Sequence, residues 1–332
     1  MLITDLVRRR LDSLTKPPAS LGRLEELLME YAEVRGAEPP ARPRLLAVVC
    51  CGDHGVTAEG VSAWPSKVTR QMMQNLVRGG AAMSVLCRHF GIDIWVVDAG
   101  VQGEPVDGVR CLRLGEGTRN LAVEPAMSLD QARQALEHGR QLAREAASAG
   151  YDFVLTGEMG IGNTTPATAL LCAFSGLSPD SVTGPGAGLD PAGVSHKASV
   201  IARALKRHAR REPLELAACL GGFEILMLAG LLLGAADNRL PVLFDGFIAG
   251  SAALVAQALE PASLRAAFFS HRSAEPGHEA MLKKLGARPL LDLDLRLGEG
   301  TGAALAASLF QAACQLYHGM ATFEEAAVSG KL

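Results

Sequence analysis

The sequence is poor in aromatic and charged residues. Of 332 residues, 5% are aromatic and 20% are charged, whereas 48% are hydrophobic and 36 are glycine. The scarcity of aromatic side chains predicts a core built mainly from Ala, Leu and Val. This composition argues against a disordered or fibrous chain and favours a compact protein with many tight turns. The length predicts one large domain with a smaller unit beside it.

The sequence also lacks a strong charge of either sign. Its formal net charge is −3 at pH 7, so it provides no broad attraction for nucleic acid or for an anionic membrane surface. The longest apolar run, residues 216–236, carries Glu224 near its middle. Because a charge is costly in lipid, this run predicts a buried helix. We therefore expect neither nucleic acid nor a membrane as a partner.

No CxxC pair occurs, and the seven cysteines are scattered. This usage predicts reduced, buried thiols and a cytoplasmic protein. In a secretory signal the basic residues precede the apolar segment, whereas here three arginines follow the first short apolar run, so no such signal is predicted. Asp53 and His54 are adjacent, but no third ligand has a suitable spacing, so no metal site and no cofactor are predicted.

Short apolar runs alternate with helix-like segments along most of the chain. Runs this short and apolar are typical of strands buried on both faces, as in a parallel sheet. The alternation predicts an α/β fold with a doubly wound, mainly parallel sheet. The predicted strands are Leu45–Cys51, Ile94–Asp98, Phe153–Thr156, Pro241–Asp245, Ala266–Ser270 and Leu290–Leu295.

Both ends of the chain lack strand candidates. The first 35 residues are helical and broken at residues 16–18, and the last 30 begin with an alanine-rich helix and end with a short one around residues 323–327. We expect residues 1–39 and 303–332 to form a small helical domain beside a large domain at 40–302.

A glycine-rich loop, Gly157–Thr165, lies between the predicted strand at 153–156 and a helical run at 167–174. Alternate glycines allow close approach of a ligand, and a helix N-terminus favours an anion. The loop is either a phosphate cradle or a turn required for strand-to-helix packing. It matches neither a Walker A loop nor the dinucleotide fingerprint.

A second glycine-rich turn, residues 183–188, is followed by Lys197. This lysine could reach a phosphate as a point charge, or it could lie on the surface near the start of a helix predicted at 196–208. The residues alone leave both alternatives open.

The hexapeptide RLGEGT occurs twice, at 113–118 and at 296–301, so Glu116 and Glu299 compete for one role. A glutamate flanked by glycines is open to a small molecule and suited to accept a proton. A simple loop or capping glutamate is the alternative. A further segment, residues 64–72, offers Trp64, Gln71 and Met72 as a wall for a planar heterocycle.

These segments, in this order, resemble the nicotinate-nucleotide–dimethylbenzimidazole phosphoribosyltransferase family, which makes α-ribazole phosphate for the lower ligand of cobalamin. The resemblance covers almost the whole chain and is carried by specific motifs. They are TKPPASLG at 15–22, CGDHGV at 51–56, RGGAA at 78–82, GEMGIGNTT at 157–165, DGF at 245–247 and LGEGTGAA at 297–304.

The resemblance implies a large α/β domain, a small helical domain from both chain ends and a homodimer. It assigns the catalytic base to Glu299 rather than Glu116, and it places the base-binding pocket near Pro65 and Gln71. It also assigns Glu158 and Lys197 to the nucleotide end of the site, where the two glycine-rich segments already suggested phosphate binding. The expected nucleotide-binding residues are Glu158, Gly160, Ile161, Gly162, Asn163, Thr164, Gly186, Gly188 and Lys197.

The expected substrates are nicotinate mononucleotide and 5,6-dimethylbenzimidazole, with inversion at C1′. Three alternatives remain at this stage: the same chemistry on adenine or a phenol, a nucleotide sensor without chemistry, and an NAD-dependent oxidoreductase. The oxidoreductase is the weakest of the three, because the sequence lacks the dinucleotide-binding fingerprint.

Overall fold

A six-stranded parallel sheet forms the centre of the computed structural model, which describes residues 2–209 and 211–329. The strand order is β3-β2-β1-β4-β5-β6, and all neighbouring strands run parallel. The predicted α/β class is confirmed. The strands are β1 (Leu45–Gly52), β2 (Asp93–Gly100), β3 (Arg110–Cys111), β4 (Phe153–Met159), β5 (Val242–Phe244) and β6 (Ala267–Phe269).

Helices cover both faces of the sheet, as a doubly wound fold requires. All eight residues of β1 are buried, and its alternate side chains enter two separate hydrophobic clusters. The helices are α1 (Ile3–Ser13), α2 (Arg23–Arg35), α3 (Lys67–Val77), α4 (Ala82–Phe90), α5 (Leu129–Ser148), α6 (Thr164–Ser175), α7 (Pro179–Val182), α8 (Pro191–Arg207), α9 (Pro213–Leu220), α10 (Phe223–Asp237), α11 (Phe247–Leu259), α12 (His278–Leu285) and α13 (Thr301–Gly319).

Helices α5 and α10 pack with their backbones in close contact on one face. A Cβ atom placed on Gly139 would overlap the carbonyl oxygen of Met227, and one placed on Gly230 would overlap that of Leu136. Glycine is therefore required at this contact for steric reasons. The interior of α10 is apolar on all sides because other elements surround it.

Replacement of Gly230 by alanine is expected to force these two helices apart. Overpacking of a tight interior contact costs about 1–3 kcal/mol, and equilibrium denaturant unfolding would measure this loss. Gly319→Ala is the matched control, since a Cβ atom on Gly319 meets nothing within 4 Å. That variant should be neutral or more stable by up to about 1 kcal/mol. Equal stability of the two variants would contradict the packing argument.

One predicted strand is absent, and one strand of the sheet was not predicted. The segment at 290–295 is extended and hydrogen-bonded through its backbone to residues 269–274, but its β-pairing is limited to an isolated bridge between Leu291 and His271. It carries two exposed aspartates, and Asp294 has a φ of 55°, which interrupts an extended strand. The strand β3 was missed because it is two residues long and lies at the partly exposed edge of the sheet.

Two helix predictions also need correction. The apolar run 216–236 is not one helix, because the chain breaks at Gly221 and Gly222 between α9 and α10. Residues 323–327 form turns rather than a helix, with Ala327 at a φ of 50°. Among the described residues, no helix combines the length and apolar character needed to cross a bilayer. Cys111 is exposed, unlike the other six cysteines.

The helices from the two chain ends meet. Helix α2 contacts both α1 and α13, and Leu14 pairs with Thr322 in an isolated antiparallel bridge. Helix α13 also contacts β4 and β5, so these helices form part of the layer on one face of the sheet. The division into a large domain at 40–302 and a small helical domain formed by both chain ends stays a prediction. In the small domain, Met1 and residues 330–332 lie outside the described residues.

Candidate active site

The centre of the sheet has a topological switch point between β1 and β4. The strand numbers rise from β1 towards one edge of the sheet and from β4 towards the other. The connections after β1 and β4 therefore run in opposite directions, and a crevice opens between the carboxyl ends of these two strands. Open parallel sheets bind their ligands at such a point. The loops at 53–56 and 160–163 both begin at this edge.

The loop between β4 and α6 is closed by hydrogen bonds of its own. The amides of Asn163 and Thr165 each donate to the carbonyl oxygen three residues earlier, at 3.1 and 2.9 Å. The amide of Ile161 donates to Thr69 Oγ1 at 3.0 Å. These three amides are engaged within the protein and are not free to bind a ligand. The cradle of N–H groups expected from the glycine pattern stays a prediction for the amides of Gly160, Gly162 and Thr164. Polar side chains also gather near the start of α6.

One such side chain is Lys197, which α8 places entirely inside the protein. Its Nζ donates to Thr164 Oγ1 at 2.7 Å and to the carbonyl oxygen of Gly184 at 3.2 Å. Burial lowers the pKa of Lys197 to about 8, against the opposing charge of Glu275. A Cβ atom on Gly186 would lie 2.9 Å from Thr164 Oγ1, so glycine keeps this turn close to the lysine. The surface-lysine alternative is wrong.

Glu275, which sequence reasoning missed, is the buried acid beside this lysine. Burial raises its pKa, while the charges of Lys197 and Arg296 and an amide hydrogen bond from Gly186 lower it. It also lies against Gly184, where any Cβ atom would overlap its carboxylate. No sequence motif connects residue 275 to the turn at 183–188, so only the fold could identify it.

Glu158, near the end of β4, is the second buried acid and is only 5% exposed. The Asn163 side-chain amide donates to its Oε2. Burial, and next the charge of Asp245, raise the pKa of Glu158 to about 8. A carboxyl group with this pKa is largely protonated at pH 7 and is therefore compatible with a nearby phosphate.

Glu299 lies in a turn of left-handed backbone. Its φ is 63°, and its neighbours Gly298 and Gly300 have φ values of 82° and 99°. This conformation is unusual for a residue with a side chain and costs about 1–3 kcal/mol, a strain found mostly at functional sites. The Glu299 side chain is buried, and its Oε2 accepts from the amide of Met83 at 3.3 Å.

The electrostatic surroundings of Glu299 suit a proton acceptor. Burial raises its pKa, and the charge of Asp245 raises it further. Hydrogen bonds from the amides of Ala82 and Met83 oppose this rise. The result is a carboxylate with increased basicity that its neighbours hold in one orientation.

The two glycine-rich loops converge at the end of β4. A Cβ atom on Gly157 would overlap the carbonyl oxygen of Glu299, and a Cβ atom on Gly298 would lie 2.5 Å from Glu158 Oε1. The structure thus brings Glu158 and Glu299 together although 140 residues separate them. Glu116, in the other copy of the hexapeptide, is exposed.

Asp245 stabilises the turn that contains Glu299. Its two carboxylate oxygens accept from the amides of Gly300, at 3.3 Å, and Ala303, at 3.0 Å. It therefore caps the start of α13, where an anion is favourable. The DGF motif marks this residue in the sequence, but its capping role is visible only in the structure.

The segment expected to bind the base lies beside the same loops. Trp64 is 53% exposed, and its indole N–H donates to the carbonyl oxygen of Ala187 at 3.0 Å. Thr69, on α3, accepts from the loop at Ile161. Pro65 and Gln71 are exposed, and their role in base binding stays a prediction.

Comparisons with known proteins agree over the whole chain. A family model described as "Phosphoribosyltransferase" matches residues 3–328. Nicotinate-nucleotide–dimethylbenzimidazole phosphoribosyltransferase of Chlorobaculum tepidum is 49% identical and covers 100% of this chain and 95% of its own length. The protein of the same name from Pseudomonas aeruginosa UCBPP-PA14 is 51% identical, with coverages of 97% and 93%. The crystal structure of CobT from Thermus thermophilus has a TM-score of 0.93 at 46% identity and covers 99% of both chains.

A parallel sheet whose switch point carries a buried lysine and two buried glutamates, together with this family match, defines an enzyme of the phosphoribosyltransferase class. Within that class, the chain belongs to the nicotinate-nucleotide–dimethylbenzimidazole phosphoribosyltransferase family. The family membership expected from the sequence motifs is confirmed.

Proposed function

We propose that the chain transfers the phosphoribosyl group of nicotinate mononucleotide to 5,6-dimethylbenzimidazole. The products are nicotinate and α-ribazole 5′-phosphate, the precursor of the lower nucleotide of cobalamin. The observation that carries this proposal is the convergence of Glu299 with the loop at 157–165, which leads directly to Lys197. The names of the full-length relatives support the same substrates.

Lys197 is the buried cation at the nucleotide end of the proposed site. Lys197 and the hydroxyl of Thr164, which are hydrogen-bonded to each other, would bind the 5′-phosphate, with Gly186 and Gly188 in the adjacent turn. Burial makes such a contact stronger than the same contact in water. Glu158, held by Asn163, would lie between the phosphate and the reacting carbon.

The proposed chemistry needs only one proton acceptor. A ring nitrogen of the base attacks C1′ from the face opposite nicotinate, the glycosidic C–N bond breaks, and the configuration inverts from β to α. Nicotinate leaves as a neutral pyridine ring because its nitrogen is already quaternary in the mononucleotide. Glu299 takes the imidazole N–H proton as the new bond forms, so no metal or other cofactor is required.

Identification of the product tests the proposal directly. The purified chain, incubated with nicotinate mononucleotide and 5,6-dimethylbenzimidazole, should release nicotinate and form an α-riboside in equal amounts, as measured by chromatography and NMR. Equimolar adenine or phenol in competition would reveal a different preferred base. Absence of nicotinate release with every base would favour a nucleotide sensor and would reject the proposed function.

The homodimer implied by the resemblance and the cytoplasmic location predicted from the cysteine usage are also proposals. Light scattering of the purified chain should give twice the monomer mass of 34.8 kDa, and a monomer would overturn the proposed assembly.

A further inference from the structure

A buried pair of a histidine and a glutamate, which the proposed chemistry does not use, lies beside the loop at 157–165. This loop is called the nucleotide loop below. His54 Nε2 and Glu224 Oε1 are 2.8 Å apart, and both side chains are completely buried. His54 follows β1, whereas Glu224 lies in the first turn of α10. Burial alone would lower the pKa of His54, but the charge of Glu224 and the hydrogen bond to it raise this pKa.

Three glycines from three separate segments pack against this pair. A Cβ atom on Gly52 would lie 2.8 Å from Glu224 Oε2, and one on Gly222 would lie 2.5 Å from His54 Cε1. On the nucleotide loop, a Cβ atom on Gly160 would lie 3.0 Å from His54 Nε2. The end of β1, the start of α10 and the nucleotide loop therefore all pack against one hydrogen-bonded pair.

Stability alone does not explain this arrangement. His54 Nδ1 and Glu224 Oε2 have no hydrogen-bond partner in the described part of the chain, and such atoms are costly inside a protein. Apolar replacements of buried ion pairs are often neutral or stabilising. What the pair provides is a hydrogen-bonded link between the segment that follows β1 and the start of α10, and Gly160 packs against this link.

We propose that His54 and Glu224 are positioning residues that fix the loop at 157–165, through Gly160, in the conformation that binds the nucleotide. This inference rests on the proposed function, because it takes that loop as the nucleotide site. A loop held less firmly would bind nicotinate mononucleotide more weakly, whereas Glu299, on a separate turn, would keep its position. The effect should therefore appear in the KM for the nucleotide and not in kcat.

Two variants of Glu224 distinguish the effect of side-chain length from the effect of charge. Glu224→Gln keeps the length of the side chain and an acceptor for the His54 N–H but removes the charge. Glu224→Asp keeps the charge but withdraws the carboxylate by one methylene. Positioning predicts that Glu224→Asp raises the KM for nicotinate mononucleotide about tenfold or more, since small misplacements in a site are costly. Glu224→Gln should leave this KM within about threefold of the wild-type value, and kcat should stay within about threefold in both variants.

Glu137→Gln serves as the control, because Glu137 lies in an exposed ion pair with Arg144 on α5. The opposite order, with Gln impaired and Asp normal, would show a role for charge and overturn the positioning proposal. A normal KM in both variants, or a parallel loss of kcat and of cooperative unfolding, would also overturn it. If Glu224→Asp does not fold, two variants of His54 decide. His54→Gln retains a nitrogen near the position of Nε2 and should keep the KM within about threefold, whereas the shorter His54→Asn should raise it about tenfold or more. A normal KM in His54→Asn would overturn the proposal. Wild-type protein that is inactive with all bases would instead reject the proposed function.

Discussion

Replacement of Glu299 by glutamine is expected to lower kcat by roughly 10²- to 10⁴-fold, the usual contribution of a positioned general base. The amide has almost the same shape as the carboxylate and can still accept from the amide of Met83. It cannot take a proton from the imidazole ring. Single-turnover release of nicotinate would measure the loss, and calorimetry should show a Kd for nicotinate mononucleotide within about threefold of the wild-type value.

The chain contains a matched control for this experiment. Glu116 occupies the same place in the other copy of RLGEGT but is exposed. Glu116→Gln should therefore retain near-normal turnover. A collapse of activity in Glu116→Gln together with normal activity in Glu299→Gln would show that Glu116, and not Glu299, is the catalytic base.

Replacement of Lys197 by methionine is expected to weaken nicotinate mononucleotide binding by roughly tenfold to a hundredfold, because a hydrogen bond to a charged group contributes about 1.5–3 kcal/mol. Methionine fills most of the volume of the buried lysine stem, so the loss should reflect the missing ammonium group. Lys206→Met, on the exposed side of the same helix α8, is the control. A Kd unchanged in Lys197→Met would remove this residue from the nucleotide site.

The pH dependence of nucleotide binding provides a second readout of the same site. The pKa of Lys197 is about 8 in the free protein, so the lysine loses its proton as the pH rises through that value. The pKa of Glu158 is also about 8, and deprotonation there adds a negative charge near the phosphate. Both changes act in one direction, and the Kd should rise above pH 8. In Lys197→Met the rise should be smaller, whereas an identical rise would assign it to Glu158.

The same two groups affect folding stability in opposite directions. The folded pKa of Glu158 is raised from 4.5, so the native state binds more protons between about pH 4.5 and 8, and the contribution of Glu158 to stability falls over that range as the pH rises. The folded pKa of Lys197 is lowered from 10.5, so the unfolded state binds more protons between about pH 8 and 10.5. The contribution of Lys197 to stability therefore rises there with pH.

Local patterns were sufficient for most of the sheet. Five of the six predicted strands are present because runs such as Leu45–Cys51 are apolar on both faces, as only a buried parallel strand requires. The prediction at 290–295 was wrong because alternating leucine and aspartate also suits an exposed extended segment. The edge strand β3 is too short to show any period.

The sequence by itself determined the parallel α/β class, the family and the two glycine-rich loops, because these depend on neighbouring residues and on motifs that are continuous in the chain. Only the tertiary structure decided which buried groups face each other: Glu299 with Glu158, Lys197 with Glu275, and His54 with Glu224. Each of these relations joins residues from distant segments, and each depends on how completely folding removes water from around the charges. Burial and distance are properties of the folded chain, so the shifted pKa values of the site could not be inferred from any local pattern.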